Sequence, residues 1–199
     1  MPSKSSEAPL KRKRSKVQEK PQKRARSDNS SSDDDADDNA QAEVLLMEAE
    51  ILESKKHYNN ITKLLDLARE DIEDEEALLP TVALCRVFLR LLAQGNMSRK
   101  PDQSEKDIVV IQWLKDRLAE YKRLLTSLLG SPFASTALTL AMRILKSEGQ
   151  YVSTKEEYSF PSNFLKDIMR SLLLDASSDV RQEFCENFLG EFCDVRFYA

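Results

Sequence analysis

Glycine and proline are scarce in this chain, and histidine is almost absent. The 199 residues include four Gly, seven Pro and one His. Turn-rich β folds use Gly and Pro at many of their connections, so this scarcity favours long helices. No stretch approaches the roughly 20 apolar residues of a membrane-spanning helix, and no apolar N-terminal segment resembles a signal peptide. We therefore expect a soluble protein that stays inside the cell and contacts no membrane.

Cysteine is also rare, and its placement argues against a metal site. Cys85, Cys185 and Cys193 are odd in number and lie in apolar surroundings, which predicts buried, reduced thiols in an intracellular protein. Cys185 and Cys193 would lie roughly 12 Å apart along one helix, too far to bind the same zinc ion. Cys85 has no nearby Cys or His in the sequence. We expect no bound metal and no cofactor.

Motifs that carry catalytic chemistry are missing as well. The chain contains no GxxxxGK, no GxGxxG and no nucleophile elbow. The single histidine, His57, follows Lys55 and Lys56 near a predicted helix end, where a structural or dipole role is favoured over catalysis. The carboxylates are plentiful, but no pair is singled out by its spacing. The sequence predicts a protein that is not an enzyme.

What is present is a strongly uneven distribution of charge. The net charge is −4, yet residues 1–27 hold ten Lys and Arg against Glu7 and Glu19, a net charge of +8. Residues 28–40 contain six Asp and no base, which leaves −6 for residues 41–199. An acidic body is a poor general surface for nucleic acid, because phosphates are neutralised by clustered Lys and Arg.

Residues 1–40 form a charged tail whose only large aliphatic residues besides Met1 are Leu10 and Val17. Such a segment cannot bury enough apolar surface to offset the entropy of ordering, so we expect disorder. Two basic clusters in it predict a nuclear localisation signal bound by an import receptor: Lys11, Arg12, Lys13, Arg14, Lys23, Arg24 and Arg26. The alternative is a nonspecific basic arm that touches nucleic acid.

A run of serines precedes the acidic part of this tail. Ser30, Ser31 and Ser32 stand directly before Asp33, a pattern that acid-directed kinases favour. Phosphorylation would add roughly −1.5 to −2 charges at each site. The alternative is an unmodified, solvated tract.

Residues 41–199 show apolar side chains at helical spacing and no strand pattern. The stretch Leu78–Gln94 is apolar on most sides of a helix, with Pro80 suited to its first turn and Gly95 to its end. It is too long for a buried strand, so it predicts a central helix with neighbours on most sides. Its one polar line contains Arg86 and Arg90, which either contact a partner or pair with the body's own carboxylates.

Other helices are predicted on both sides of this central one. Ser104 and Asp107 form a capping box before a helix whose apolar residues recur at steps of three and four: Ile111, Leu114, Leu118, Tyr121, Leu125 and Leu128. Gly149 is expected to end the next helix, and Ser178 to cap a last helix that presents Val180, Phe184, Phe188 and Phe192 on one side. Trp113 is expected in the core, with an interface anchor as the alternative.

The helices pair into units of about 40 residues, the size of HEAT or armadillo repeats. The predicted fold is therefore all-α: an α-solenoid-like stack of helical hairpins over residues 41–199, with a compact irregular bundle as the alternative. Residues 192–199 end on apolar and aromatic side chains, whereas a stack of hairpins needs a polar outer face on its last unit. We expect further helices or a partner to cover this end.

Several stretches, taken in order, resemble one family. They are Lys55–Ile61 with Leu64 and Leu65, Val82–Phe88 with Leu91, Leu92, Gly95 and Asn96, Trp113 and Leu114 with Tyr121 and Lys122, and Phe192–Tyr198. Over roughly residues 50–199 the chain is similar to the N-terminal part of the family of the fourth nucleolar complex protein, within the CCAAT-binding-factor-like (CBF) group. The CBF-like region itself is expected beyond residue 199.

The resemblance implies a non-catalytic helical scaffold of the nucleolus. Family members are expected to act in small ribosomal subunit biogenesis and rRNA processing, within an early pre-ribosomal particle. The implied partners are nucleolar assembly factors, with weak or indirect contact to rRNA. One alternative is a nuclear DNA-binding or transcription module of the CCAAT-binding-factor type, which the acidic body disfavours. Another is an import adaptor or other cytoplasmic scaffold.

Overall fold

The computed structural model describes residues 32–70, 78–99, 103–151 and 160–199, with side chains from Asn39 onward. The basic clusters between Lys11 and Arg26, together with Ser30 and Ser31, lie outside the described residues. The localisation signal and the phosphorylation sites therefore stay predictions. Ser32 is the first residue of a helix, which begins ahead of Gln41, where the sequence placed the start of the body.

The described residues form eight α-helices and two short helical segments, with no strand among them. The α-helices are α1 (Ser32–Glu53), α2 (Asn60–Glu70), α3 (Leu78–Ala93), α4 (Glu105–Leu128), α5 (Ala134–Tyr151), α6 (Ser162–Leu174), α7 (Ser178–Phe184) and α8 (Cys193–Tyr198). A 3₁₀ turn, Lys55–His57, follows α1, and a π-helical turn, Cys185–Leu189, follows α7.

The helices stack in two layers. Helices α1, α3, α5 and α7 contact one another in that order, and α2, α4, α6 and α8 do the same. The layers also contact each other, for example α2 with α3 and α4 with α5. Each helix therefore buries its apolar side between two layers, which is the packing of stacked helical hairpins. This arrangement confirms the predicted all-α stack.

Helix α3 occupies the centre of this stack, as the sequence predicted. It packs against α1, α2 and α5, and most of its side chains are buried. The Phe88 ring stacks on the Tyr121 ring of α4, with centroids 5.5 Å apart. The Tyr121 hydroxyl donates a hydrogen bond of 2.8 Å to the backbone carbonyl of Thr81, which satisfies both buried groups.

Several predicted helix ends are confirmed, and two are wrong. Gly95, the second residue after α3, adopts the left-handed conformation with φ 70°, and Ser104 accepts a hydrogen bond from the Asp107 N–H at the start of α4. The cap of α7 is Ser177, one residue before the predicted Ser178. Gly149 does not end α5, because the helix continues to Tyr151; a single glycine lowers helix propensity by only about 1 kcal/mol.

The last predicted helix is broken in the structure. The N–H of Gly190 bonds to the carbonyl of Cys185, five residues earlier, and α8 begins only at Cys193. Arg196 donates to the carbonyls of Leu189 and Gly190, so the groups freed at the break gain partners. Val180 and Phe184 are buried as expected, whereas the other two predicted apolar positions, Phe188 and Phe192, lie partly or largely outside the core.

The prediction of three buried thiols is correct for one of them. Cys85 is 1% exposed at the centre of α3, whereas Cys185 and Cys193 are exposed, and all three are free. Cys185 opens the π-helical turn after α7 and Cys193 is the first residue of α8, and both of these positions are exposed. Within the described ranges, no group of His, Cys, Asp or Glu is arranged to bind a metal ion, and no helix is both long and apolar enough to cross a membrane.

Candidate interaction surfaces

Arg86 is held within the molecule by a carboxylate of the neighbouring helix. Its Nε and Nη2 donate to the two carboxylate oxygens of Glu48 at 2.7 and 2.5 Å, and the hydrogen bond raises the pKa of the guanidinium. Such bidentate pairs fix orientation as well as charge. The structure thus shows the intramolecular pairing that the sequence left open, and this pair joins α1 to α3.

Arg90 lies one turn further along the same face of α3. It is exposed, and no acidic side chain in the described part of the chain pairs with it. Both arginines of the predicted stripe are exposed, but Arg86 joins two helices through its ion pair, whereas Arg90 forms no ion pair with a described residue. Contact of either arginine with a partner stays a prediction.

Trp113 lies at the edge of the core, and its alternative role as an interface anchor stays a prediction. Its ring packs against the core and is only partly buried, with the Arg117 guanidinium 5.6 Å from the ring centroid. The exposed part of the ring lines a cavity of about 260 Å³ together with Lys56 and Tyr58. His57 lies nearby in the 3₁₀ turn, with its Nδ1 3.8 Å from a carboxylate oxygen of Glu50, a position that fits the structural role predicted for it.

The larger cavity is a groove along α5 that the sequence did not predict. It has a volume of about 450 Å³ and lies between α5 and the segment that follows α7. We call it the α5 groove. It is lined by Thr139, Met142, Arg143, Leu145, Lys146, Gly149, Gln150, Phe160, Phe188, Phe192, Asp194 and Val195. The sequence feature that could have indicated it is the aromatic pair Phe188 and Phe192, which the sequence analysis placed on the apolar side of a single last helix.

The α5 groove has an apolar floor and a charged lip. Met142, Leu145 and Val195 form the buried floor. Two exposed cations of α5, Arg143 and Lys146, stand on one side, and the Lys146 ammonium lies 5.9 Å from the centroid of the Phe192 ring. A groove of this composition suits binding through apolar contact with polar groups setting orientation.

Two further ion pairs connect neighbouring helices. Arg69 of α2 pairs with Glu120 of α4 at 3.4 Å, and Lys122 of α4 pairs with Glu148 of α5. Near the start of α4, hydrogen bonds from Ser104 and then Lys55 hold the pKa of Asp107 below its ordinary value. Such charges suit a role in packing and orientation.

A comparison with protein-family models decides the relationship. The model for the family described as nucleolar complex protein 4-like, TPR repeats, matches residues 32–199. The chain belongs to the nucleolar complex protein 4-like family. The match confirms the resemblance inferred from the sequence, and it begins at the residue where α1 begins. The family description calls the repeats TPR; like HEAT and armadillo repeats, these are stacked helical pairs. A comparison with curated proteins gave no match.

Proposed function

We propose that this nucleolar complex protein 4-like chain is a non-catalytic scaffold in small ribosomal subunit biogenesis and rRNA processing. The observation that carries the proposal is the family match over residues 32–199, which covers all the described helices. The mechanism is positional. Two layers of packed helices present an extended surface, as helical repeat proteins do, and hold other assembly factors in register within an early pre-ribosomal particle.

The test is mild affinity purification of the tagged chain from cells. We expect precursors of the small-subunit rRNA and small-subunit assembly factors to co-purify, and precursors of the large subunit to stay at background. A tagged nucleolar protein of unrelated function is the control for nonspecific recovery. Recovery of neither precursor would contradict the proposal. Sequence-selective, salt-dependent binding to duplex DNA would favour the transcription-module alternative instead.

We propose that the basic tail contains the nuclear localisation signal of the protein. We expect the wild-type chain to be located in the nucleus and nucleolus. We expect it to disperse into the cytoplasm when seven basic residues are replaced by glutamine: Lys11, Arg12, Lys13, Arg14, Lys23, Arg24 and Arg26. This variant has no basic cluster that an import receptor could bind. Fluorescence microscopy of tagged chains measures the ratio of nuclear to cytoplasmic signal.

A matched variant changes seven acidic and polar residues of the same tail and leaves both basic clusters intact. This control is expected to keep the wild-type distribution. An unchanged nucleolar fluorescence in the basic-cluster variant would show that the localisation signal lies elsewhere in the chain.

A further inference from the structure

The α5 groove has the length and volume to bind one short helix. Its α5 side runs from Thr139 to Gln150, roughly 16 Å or three helical turns. The opposite side presents Phe188 and Phe192, and the latter ring is 43% exposed. A volume of about 450 Å³ lies in the range of roughly 300–1,000 Å³ that is typical of binding pockets. The groove is therefore large enough to accept several apolar side chains of a ligand.

The charges around the groove are one-sided. Arg143 and Lys146 stand three residues apart on the α5 lip, so their side chains point to the same side of the helix. Within the part of the chain that the structure describes, no carboxylate forms an ion pair with either cation. Asp194, on the opposite side, is the acidic residue of the lining and already has an interaction within the chain. A ligand that brings carboxylates to the α5 lip would gain two charge pairs.

We propose that the α5 groove binds an acidic amphipathic helix of a partner protein, with its apolar side chains on the floor and against Phe192, and its carboxylates against Arg143 and Lys146. Grooves between helices take amphipathic helices that anchor at steps of three and four residues. The described part of the chain has no sheet edge to which an extended peptide can add. The inference deepens the proposed scaffold function, because it gives the chemistry of one partner.

The lining favours a peptide over RNA. Nucleic-acid interfaces are more polar and much more positively charged than this groove, whose cations stand on one lip above an apolar floor. The acidic balance of residues 41–199 adds to this preference, since it repels phosphate beyond the lip. RNA binding at the groove is one of the outcomes that the following experiment tests.

The probe is a phage-displayed library of random 16-residue peptides, selected on the full chain. We expect enriched peptides to carry large apolar residues at helical spacing, with Asp or Glu on the neighbouring side. The same selection on the R143E/K146E variant is expected to enrich Lys and Arg in place of the acids. A labelled winning peptide should bind R143E/K146E at least about tenfold more weakly than the wild-type chain, measured by fluorescence anisotropy.

The matched control is K115E/R123E, which reverses two exposed cations of α4 away from the groove. Its affinity for the peptide should stay within about twofold of wild type, because neither residue lines the groove and both are exposed to screening by salt. F192A, which removes an apolar anchor from a half-exposed position, should weaken binding. Circular dichroism and urea unfolding of each variant show that the fold is kept.

Three results of the binding experiments would overturn the inference: no enrichment of acids, equal affinity of wild type and R143E/K146E, or tighter binding of a single-stranded RNA than of the peptide. A dimer in sedimentation equilibrium that R143E/K146E dissociates would assign the groove to a second copy, which also contradicts it. Failure here leaves the purification of small-subunit precursors unaffected. Conversely, peptide binding without those precursors would contradict the proposed function alone.

Discussion

Replacing Phe88 by alanine is expected to lower the free energy of unfolding by about 3–5 kcal/mol, the usual cost of removing a buried aromatic ring from a core. Phe88 is 0% exposed in the centre of α3, and its ring stacks on Tyr121 of α4. The cavity would open where α3 meets its neighbours in both layers. Because packed helices on several sides restrict collapse of that cavity, the cost belongs at the upper part of the range.

Urea denaturation followed by circular dichroism measures the change. The control is L46A on α1, where the leucine is 59% exposed, and we expect a change of less than about 0.5 kcal/mol. Equal destabilisation by F88A and L46A would contradict the central position of α3. A loss of ordered helix confined to α1 in F88A would do so as well.

The second large expected effect is a difference in thiol reactivity: Cys85 should react with thiol reagents far more slowly than Cys185 and Cys193. Burial raises the pKa of the Cys85 thiol to about 11, and this outweighs the opposing effects of the hydrogen bond with Tyr121 and of the nearby arginines. At pH 8 such a thiol holds about a hundredfold less thiolate than one with the ordinary pKa of 9.0, and its burial also blocks the reagent. Cys185 and Cys193 are exposed, so they should react at once.

Labelling with a chromogenic disulfide reagent at pH 8, with and without urea, checks this expectation. We expect two thiols to react within the first minutes and the third to react only as the protein unfolds. In C185S/C193S the fast phase should vanish, whereas C85A should keep it. Three equal rates in the folded protein would contradict the buried position of Cys85.

The same pKa shift predicts that the free energy of unfolding decreases at alkaline pH. The folded protein holds the Cys85 proton up to about pH 11, whereas the unfolded chain releases it near the ordinary value of 9.0. The contribution of this thiol to stability is therefore full below pH 9 and decreases as the pH rises from 9 to 11. Tyr121 adds to the trend, because burial raises its pKa well above 10.

Helices with a long periodic pattern were predictable from the sequence. All six residues of the α4 stripe, from Ile111 to Leu128, are buried, and the capping box at Ser104 forms. Helix α3 was predictable because it is apolar on most sides and ends at a glycine. These features depend on residues three or four positions apart, which are neighbours in any helix.

Features that depend on contacts between distant residues were missed. Leu45 fits the apolar spacing of α1 and yet is 48% exposed, because Val44, Met47 and Ile51 face the neighbouring helices. The spacing of Phe184, Phe188 and Phe192 fits one continuous helix, so it does not reveal the break that the structure shows after α7. Arg196 bonds to the carbonyls of the break, an interaction that the periodicity of α7 does not contain.

The sequence by itself determined the long helices, their central member and the family resemblance, since each depends on local spacing and on the order of short motifs. Tertiary structure alone decided that Arg86 pairs with Glu48 while Arg90 pairs with no described carboxylate, and that α5 and the segment after α7 enclose a groove. The physical reason is that pairing and enclosure depend on which helix sides meet. Side chains from α5 and from residues some 40 positions later become neighbours only when the layers pack.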